Sequence, residues 1–384
     1  MSSALSLSNY KIENKIKATP LHLACRKGDE DIALLLIDRL SVTKLVNLIL
    51  NDFTNGALLP LHVACKNKNE KYLLVKTYIQ KITFENQLSK CLHKEDESKQ
   101  SILHISIENN HLNIVEMLFC EYHMSNELRD SLNGNLPIHC CAMSGSIEMF
   151  NLLQKYDAVS FDTNNSLQNA LHIAAFHGRS KFIREFLRYE QFCLGYTKNE
   201  MKNLAQFWKE NTGEIFISCV CSCEIDQDSY MPATKVKDEQ HYTPLMTAIA
   251  ASNLKCVEEL SNHYLTEMDV TDLNGNSIYH ICALHDNLES LKYLLDLTNQ
   301  QNDMNIFGLK NNFAETILHL ASFNGNLEMI NFILTKLYAS NGHVDKILYA
   351  KNRKGQTCFH VAANKGFFNV IEYFIKVKNS YNYL

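Results

Sequence analysis

Glycine and proline are scarce in this chain of 384 residues, which holds 13 glycines and 5 prolines. So little of either residue excludes a collagen-like sequence and a flexible Gly/Pro-rich linker. Long apolar runs are missing too, because the segment Phe216 to Cys223, among the most apolar, already contains serine and a membrane-spanning helix needs about 18 residues. The N-terminus also lacks the charged and apolar regions of a signal peptide. We therefore expect no membrane span and no secretion by that route.

Neither sign of charge is in large excess. Lys and Arg total 37 against 42 Asp and Glu, a formal net charge of −5. Such a chain has no global basic field to attract phosphate backbones, so we expect no nucleic-acid partner. The 13 cysteines are an odd number and form no compact framework, which favours reduced thiols and a cytoplasmic location.

One short segment recurs nine times along the chain. Clear copies are Thr19-Pro-Leu-His-Leu-Ala-Cys25 and Leu59-Pro-Leu-His-Val-Ala-Cys65, and Met246 replaces the histidine in one copy. Successive copies follow at similar intervals, except that the gap from His172 to Met246 is about twice as long as the others. A nearly fixed period indicates a repeat architecture. We call the histidines of the other eight copies the marker histidines; they are His22, His62, His104, His139, His172, His280, His319 and His360.

The residues after each marker histidine follow a helical pattern. Apolar pairs recur ten and eleven residues after it, as in Ile114-Val115, and again fourteen and fifteen residues after it, as in Leu118-Phe119. These offsets place the pairs on one helical stripe. We call the marker histidine, or Met246 in the copy without one, the mark. A glycine such as Gly28 often stands six residues after the mark, where the chain must turn between two helices. Each unit therefore reads as turn, helix, turn, helix, and neighbouring units must stack to bury their apolar faces.

The shortest interval, from His139 to His172, equals the length of an ankyrin repeat, about 33 residues, and Thr-Pro-Leu-His-x-Ala is the signature of that family. Over nearly its whole length the chain resembles an ankyrin-repeat protein. The resemblance implies an all-α fold, an ankyrin-repeat solenoid of about nine helix-turn-helix repeats with short β-hairpin turns and one longer insertion. It also implies that the marker histidines hydrogen-bond adjacent turns and have no metal or catalytic role.

The intervals between copies predict how the chain is organised. Residues 1–16 form an N-terminal tail, 17–188 repeats 1 to 5, 189–240 an insertion or degenerate repeat, and 241–384 repeats 6 to 9. We expect the insertion partly to interrupt the stack.

Departures from the repeat pattern carry two further expectations. Lys68, Ser252 and Asp286 replace the glycine of the turn, which predicts looser turns there. Repeats longer than the shortest interval predict extended loops that could carry binding specificity; these loops are Val42 to Gly56, Ile82 to Lys99, Asn299 to Asn311 and Ala339 to Asn352.

No catalytic motif is found in the sequence. GxxxxGK[ST], GxGxxG, GxSxG and HExxH are all absent, so we predict no catalytic residue, no cofactor and no enzyme activity. The one cysteine cluster, Cys219-Val-Cys-Ser-Cys223, lacks the CxxC spacing that tetrahedral zinc usually needs. A buried apolar segment is favoured over a zinc site there, and we predict no metal.

Two functions of different classes remain. The first is a scaffold that binds a protein partner on a concave surface through Phe176, His177, Phe323 and Asn324, unless these residues pack against the adjacent turn. The second is a cytosolic ankyrin array of a TRPA-type cation channel, as a fragment or pore-less isoform whose partner is a channel subunit. The segment Leu136 to Gly145 resembles repeats of those channels.

Overall fold

A computed structural model describes residues 19–50, 59–83, 88–195, 231–298, 306–339 and 344–381. Within these ranges the chain forms α-helices, one short 3₁₀ turn at Ala233–Lys235 and no strand. The helices are α1 (Pro20–Lys27), α2 (Glu30–Arg39), α3 (Val42–Leu50), α4 (Pro60–Cys65), α5 (Tyr72–Ile82), α6 (Leu88–Leu92), α7 (Ile102–Glu108), α8 (Leu112–Cys120), α9 (Pro137–Ser144), α10 (Ile147–Lys155), α11 (Ala170–Phe176), α12 (Ser180–Gly195), α13 (Pro244–Ala250), α14 (Leu254–Ser261), α15 (Ile278–Leu284), α16 (Leu288–Leu297), α17 (Ile317–Asn324), α18 (Leu327–Ala339), α19 (Val344–Leu348), α20 (Cys358–Lys365) and α21 (Phe368–Tyr381).

The helices belong to two compact units. The first contains the described residues of 19–170 and 188–195, and the second contains those of 171–187 and 231–381. In the first unit, the helices that begin at the recurring segment pack in chain order as α1, α4, α7 and α9, and in the second as α13, α15, α17 and α20. We call these, together with α11, the inner helices. The helices that follow them, such as α2, α5 and α8, pack in a second layer and are called outer helices.

Each inner helix begins because its first residues suit a helix N-terminus. Pro20, Pro60, Pro137 and Pro244 occupy the first helical turn, where the fixed φ of proline is already helical and its missing N–H is not needed. A Thr or Ser precedes most of the other inner helices and shares its cap with the marker histidine. In α17, the backbone N–H of Thr316 donates to Nδ1 of His319 at 3.2 Å.

The second nitrogen of the marker histidine reaches the next repeat. Nε2 of His139 lies 3.1 Å from the Gln168 carbonyl oxygen, and Nε2 of His172 lies 2.9 Å from that of Tyr242. Because a carbonyl only accepts, Nε2 carries the hydrogen and Nδ1 is the acceptor. The expectation that marker histidines bond adjacent turns is confirmed by such contacts at His62, His104, His139, His172, His280 and His319.

The insertion does not interrupt the stack, contrary to expectation. His172 reaches the turn before α13 directly, and the side-chain amide of Asn253 donates to the carbonyl oxygens of Ala175 and Phe176 at 2.8 and 3.0 Å. The repeats on either side of residues 196–230 are therefore bonded to each other within the second unit. Those intervening residues lie outside the described part of the chain.

The prediction of extended loops is wrong where short helices occupy the extra residues. α3, α6 and α19 lie inside three of the four ranges. Val344, Ile347 and Leu348 of α19 are buried, as are Leu45 and Val46 of α3. Spacings of three and four residues put apolar side chains on one helical face, and burying that face stabilises a helix where an open loop would expose it.

The turns at Ser252 and Asp286 are also not looser. Both residues take the left-handed conformation, with φ of +57° and +55°, as Gly145 and Gly325 do at the same place in their repeats. The stacked neighbours fix the turn, so the substituted residue adopts the backbone that glycine would have.

Replacing Ser252 by glycine is expected to stabilise the protein. A non-glycine residue in the left-handed region costs about 1 kcal/mol, partly offset by the larger backbone entropy that glycine loses on folding. We expect Ser252→Gly to raise the free energy of unfolding, measured by urea titration, by up to about 1 kcal/mol. Gly366→Ala is the matched control: φ is +79° and an added Cβ would meet nothing within 4 Å, so it should lower stability through the backbone alone. A destabilised Ser252→Gly variant would contradict this account.

The neutral histidines predict acid sensitivity. Burial lowers the pKa of His62, His139 and His172 from 6.5 to about 4. Between these values the unfolded chain binds protons that the native chain excludes. Stability is therefore fully present above pH 6.5 and falls as the pH drops toward 4, by about 1.4 kcal/mol per pH unit for each ring.

Urea unfolding followed by circular dichroism at a series of pH values tests this prediction. The control is His139→Gln, whose amide cannot take up a proton in this range. Its stability should be lower at pH 7 but decline less steeply with acid than that of the unchanged chain. Equal slopes would show that this ring does not exclude protons.

Candidate functional site

The turns that precede the inner helices, here called fingers, are closed by an Asp or Asn side chain. In the finger before α15, Oδ1 of Asp272 accepts from the backbone N–H groups of Asn274 and Asn276 at 2.8 and 2.7 Å. The Asp272 N–H donates to the Asn276 carbonyl oxygen at 3.1 Å. These bonds hold a tight turn without paired strands, whereas the sequence predicted a β-hairpin.

The Asp or Asn residue that closes each finger was not predicted from the sequence, although it stands at a regular position. It stands eight residues before the mark in most copies and nine before it in one. The set consists of Asp96, Asp130, Asn164, Asp238, Asp272, Asn311 and Asn352, all of which are buried.

Neighbouring fingers are bonded to each other through the backbone. The N–H of Asn312 donates to the Asn274 carbonyl oxygen at 2.8 Å, and the N–H of Arg353 donates to that of Phe313 at 2.8 Å. The first unit has the same contact between Asn165 and Asn133. Bonds of this kind fix each finger to the next, while some tip side chains, such as Phe313, remain exposed.

Phe176 and His177 lie at the end of α11 and are both exposed, as the sequence predicted. The Phe176 side chain is 63% exposed, and its ring meets that of His177 edge to face with centroids 5.2 Å apart. The Phe176 carbonyl is held by Asn253. The backbone at this position is thus fixed while the aromatic ring remains accessible.

Phe323 holds the equivalent position in α17. Its side chain is 46% exposed, and Nζ of Lys365 lies 3.8 Å from the ring centroid. A cation over an aromatic face is attracted by the ring quadrupole, typically by about 0.5–1 kcal/mol at exposed sites. This contact joins the ends of α17 and α20 into one surface.

Asn324, by contrast, is half-buried and its side chain serves the stack. Its amide donates to the carbonyl oxygens of Ala283 and Leu284 at 3.0 and 2.8 Å and to Oδ1 of Asp286 at 3.2 Å. The sequence predicted an exposed residue here. Because the last carbonyls of α15 have no partner within their own helix, they accept hydrogen bonds from this amide of the next repeat.

The two units differ at the position four residues after the mark. In the second unit it holds Phe176, Ala250, Leu284, Phe323 and Asn364, whereas in the first it holds Arg26, Lys66, Glu108 and Met143. Lys66 there is paired with Asp96 at 2.5 Å. The second unit therefore presents the more apolar surface at the ends of its inner helices.

Metal binding and membrane insertion find no support in the described residues. No group of three or more His, Cys, Asp or Glu side chains among them could hold a metal ion. Burial raises the pKa of Cys25 and of Cys65 to about 12, so both thiols stay protonated and unreactive. No described helix is long and apolar enough to cross a bilayer. The Cys219 to Cys223 cluster lies outside the described residues.

Substitution at neighbouring positions should separate the structural residue from the exposed one. Asn324→Ala would leave carbonyls of the preceding repeat without a donor, so we expect it to lower the free energy of unfolding by about 1–2 kcal/mol. Phe176→Ala removes a mostly exposed ring and should change it by about 0.5 kcal/mol or less. Urea unfolding of the two variants provides the comparison, and equal losses would refute this division.

Three relatives of known name share part of the sequence. The NAD-dependent deacetylase sir2B of Dictyostelium discoideum is 24% identical over 304 residues, covering 71% of this chain and 37% of that protein. A homolog of transient receptor potential cation channel subfamily A member 1 from Caenorhabditis elegans is 27% identical over 42% of this chain and 13% of its own length. ANK repeat-containing protein nipk-1 of the same organism is 28% identical over 26% of this chain and 16% of its own. The chain thus spans well under half of each relative.

Family models cover most of the sequence. The model for ankyrin repeats in three copies matches residues 103–199, 209–306, 264–346 and 297–383, and the model for a single ankyrin repeat matches residues 17–47. Ankyrin repeats are typically non-catalytic modules for protein interaction. Together with the finger, inner helix and outer helix of each repeat, these matches show that the chain belongs to the ankyrin-repeat family.

Proposed function

We propose that this chain is a non-catalytic scaffold or adaptor that binds a protein partner through the exposed ends of its inner helices and the neighbouring fingers. The observation that carries the proposal is the pair of exposed rings, Phe176 and Phe323, at the ends of inner helices of the second unit. Exposed aromatic side chains on a rigid support favour binding because little conformational entropy is lost on association. His177, whose ring contacts Phe176, belongs to the same proposed surface.

Affinity capture with the intact chain tests this proposal. We expect a partner from source-cell lysate, identified by mass spectrometry, to be lost or strongly reduced with a Phe176→Ala, Phe323→Ala variant. The control is a Leu35→Ala, Leu73→Ala variant, which removes two side chains that are each 57% exposed on outer helices. Equal capture by all three chains would refute the assignment of the surface.

The alternative, a cytosolic array of a TRPA-type channel, is favoured by the similarity to the Caenorhabditis elegans channel homolog. In that case the partner is a channel subunit. The transcript that encodes the chain distinguishes the two candidates, since six hydrophobic spans after the repeats would establish the channel.

We further propose a cytoplasmic location, in keeping with free thiols at the described cysteines. Imaging of the tagged chain in its source cells checks this, and a signal confined to another compartment would contradict it.

A further inference from the structure

The last described finger and inner helix of the second unit carry an excess of basic side chains. Between residues 349 and 366 the sequence contains Lys351, Arg353, Lys354 and Lys365 and no Asp or Glu. All four side chains are exposed. Within the described residues, no carboxylate pairs with Lys351, Arg353 or Lys354. This local charge of +4 contrasts with the net charge of −5 of the whole chain.

Exposed aromatic rings adjoin these bases. The finger bond from the Arg353 N–H to the Phe313 carbonyl oxygen, 2.8 Å long, places the tip that bears the 50% exposed Phe313 beside the basic finger. At the opposite end of α20, Lys365 lies over the ring of Phe323. We call Phe313, Phe323, Lys351, Arg353, Lys354 and Lys365 the basic-aromatic end.

The surroundings limit this charge to one place. The finger before α15, two repeats earlier, contains Glu267, Asp269 and Asp272, and Glu267 pairs with Lys235. The adjacent finger, before α17, holds one base and one acid, Lys310 and Glu315. Since charges in physiological salt are screened beyond about 8 Å, a ligand responds to the nearest side chains more than to the whole molecule. An anionic ligand is therefore attracted to the basic-aromatic end more than to the finger before α15.

The chemistry of the patch favours a peptide over the other anions. A nucleic acid is held mainly by many phosphate contacts on a broad basic surface, and this chain is acidic overall. Single exposed ion pairs contribute about 1 kcal/mol or less, so four bases need apolar contacts beside them. Phe313 and Phe323 offer such contacts to apolar side chains that alternate with carboxylates.

We propose that the basic-aromatic end docks an acidic protein segment that also carries apolar side chains. The inference rests on the proposed function, because it specifies the chemistry of the partner for which Phe323 supplies a contact. Carboxylates of the segment pair with Lys351, Arg353, Lys354 and Lys365, and its apolar side chains pack on the two phenylalanine rings.

Panning a phage library of random dodecapeptides on the immobilised full chain tests the proposal. We expect the enriched peptides to combine Asp or Glu with Leu, Ile, Phe or Trp. The strongest peptide is then labelled and its Kd measured by fluorescence anisotropy. A Lys351→Glu, Arg353→Glu, Lys354→Glu variant should weaken its binding about tenfold or more, and so should raising sodium chloride from about 50 to about 500 mM.

The matched control reverses three exposed lysines of the first unit, as Lys68→Glu, Lys90→Glu and Lys99→Glu, with the same change in net charge. It should leave the Kd within about twofold, because these lysines are not among the bases assigned to the segment. Circular dichroism checks that both variants are folded. A Lys351→Gln, Arg353→Gln, Lys354→Gln variant gives the milder change if the reversal disturbs the finger, and should weaken binding less than the reversal does.

Each other outcome overturns the inference in a recognisable way. Peptides without acidic bias that still require Phe176 and Phe323 overturn the inference and keep the proposed function. No enriched peptide, together with unchanged lysate capture by the aromatic variant, overturns both. Two further probes are vesicles containing phosphatidylserine and a single-stranded DNA oligonucleotide. If either binds through these bases while no acidic peptide is enriched, the patch is assigned to a lipid surface or to a nucleic acid, respectively.

Discussion

The structure depends on one hydrogen-bonding arrangement that recurs at the marker histidines. Nδ1 accepts from the start of its own inner helix, while Nε2 donates to a carbonyl of the next finger, as His319 does with Thr316 and Gln356. A single ring thus joins a local cap to a contact with the following repeat. Removing the imidazole while the repeats stay stacked would leave a buried N–H and a carbonyl without partners, which costs about 1–3 kcal/mol for each group. Only a neutral imidazole with the hydrogen on Nε2 can make both bonds.

Rigidity of the surface follows from these bonds. The marker histidines hydrogen-bond carbonyl groups of the fingers, and the buried Asp and Asn side chains close each turn. Backbone hydrogen bonds between the tips join one finger to the next. Exposed rings such as that of Phe176, at the end of an inner helix, have no part in these bonds. They are displayed on fixed backbone, so the cost of ordering them for a partner has largely been met during folding.

The sequence predicted the inner helices well because a mark that returns at similar intervals is a regular signal that stacking must satisfy. The sequence did not predict the short helices that the extra residues of the longer repeats form. Val344, Ile347 and Leu348 have helical spacing, but a segment as short as α19 cannot be distinguished by periodicity from an apolar loop. The buried residues that close the fingers, such as Asp272 and Asn311, escaped notice because Asp and Asn also occur in ordinary surface turns.

Residues adjacent in sequence have different roles, because one bonds the neighbouring repeat and the next is exposed to solvent. Phe323 and Asn324 end the same helix, yet the ring is exposed while the amide donates to two carbonyls of the repeat before. A rotation of about 100° per residue along a helix separates the two directions. The position four residues after the mark can therefore change from Lys66 in the first unit to Phe323 in the second without loss of the stack. Binding chemistry can thus differ between repeats because the bonds that build the fold are made by other side chains.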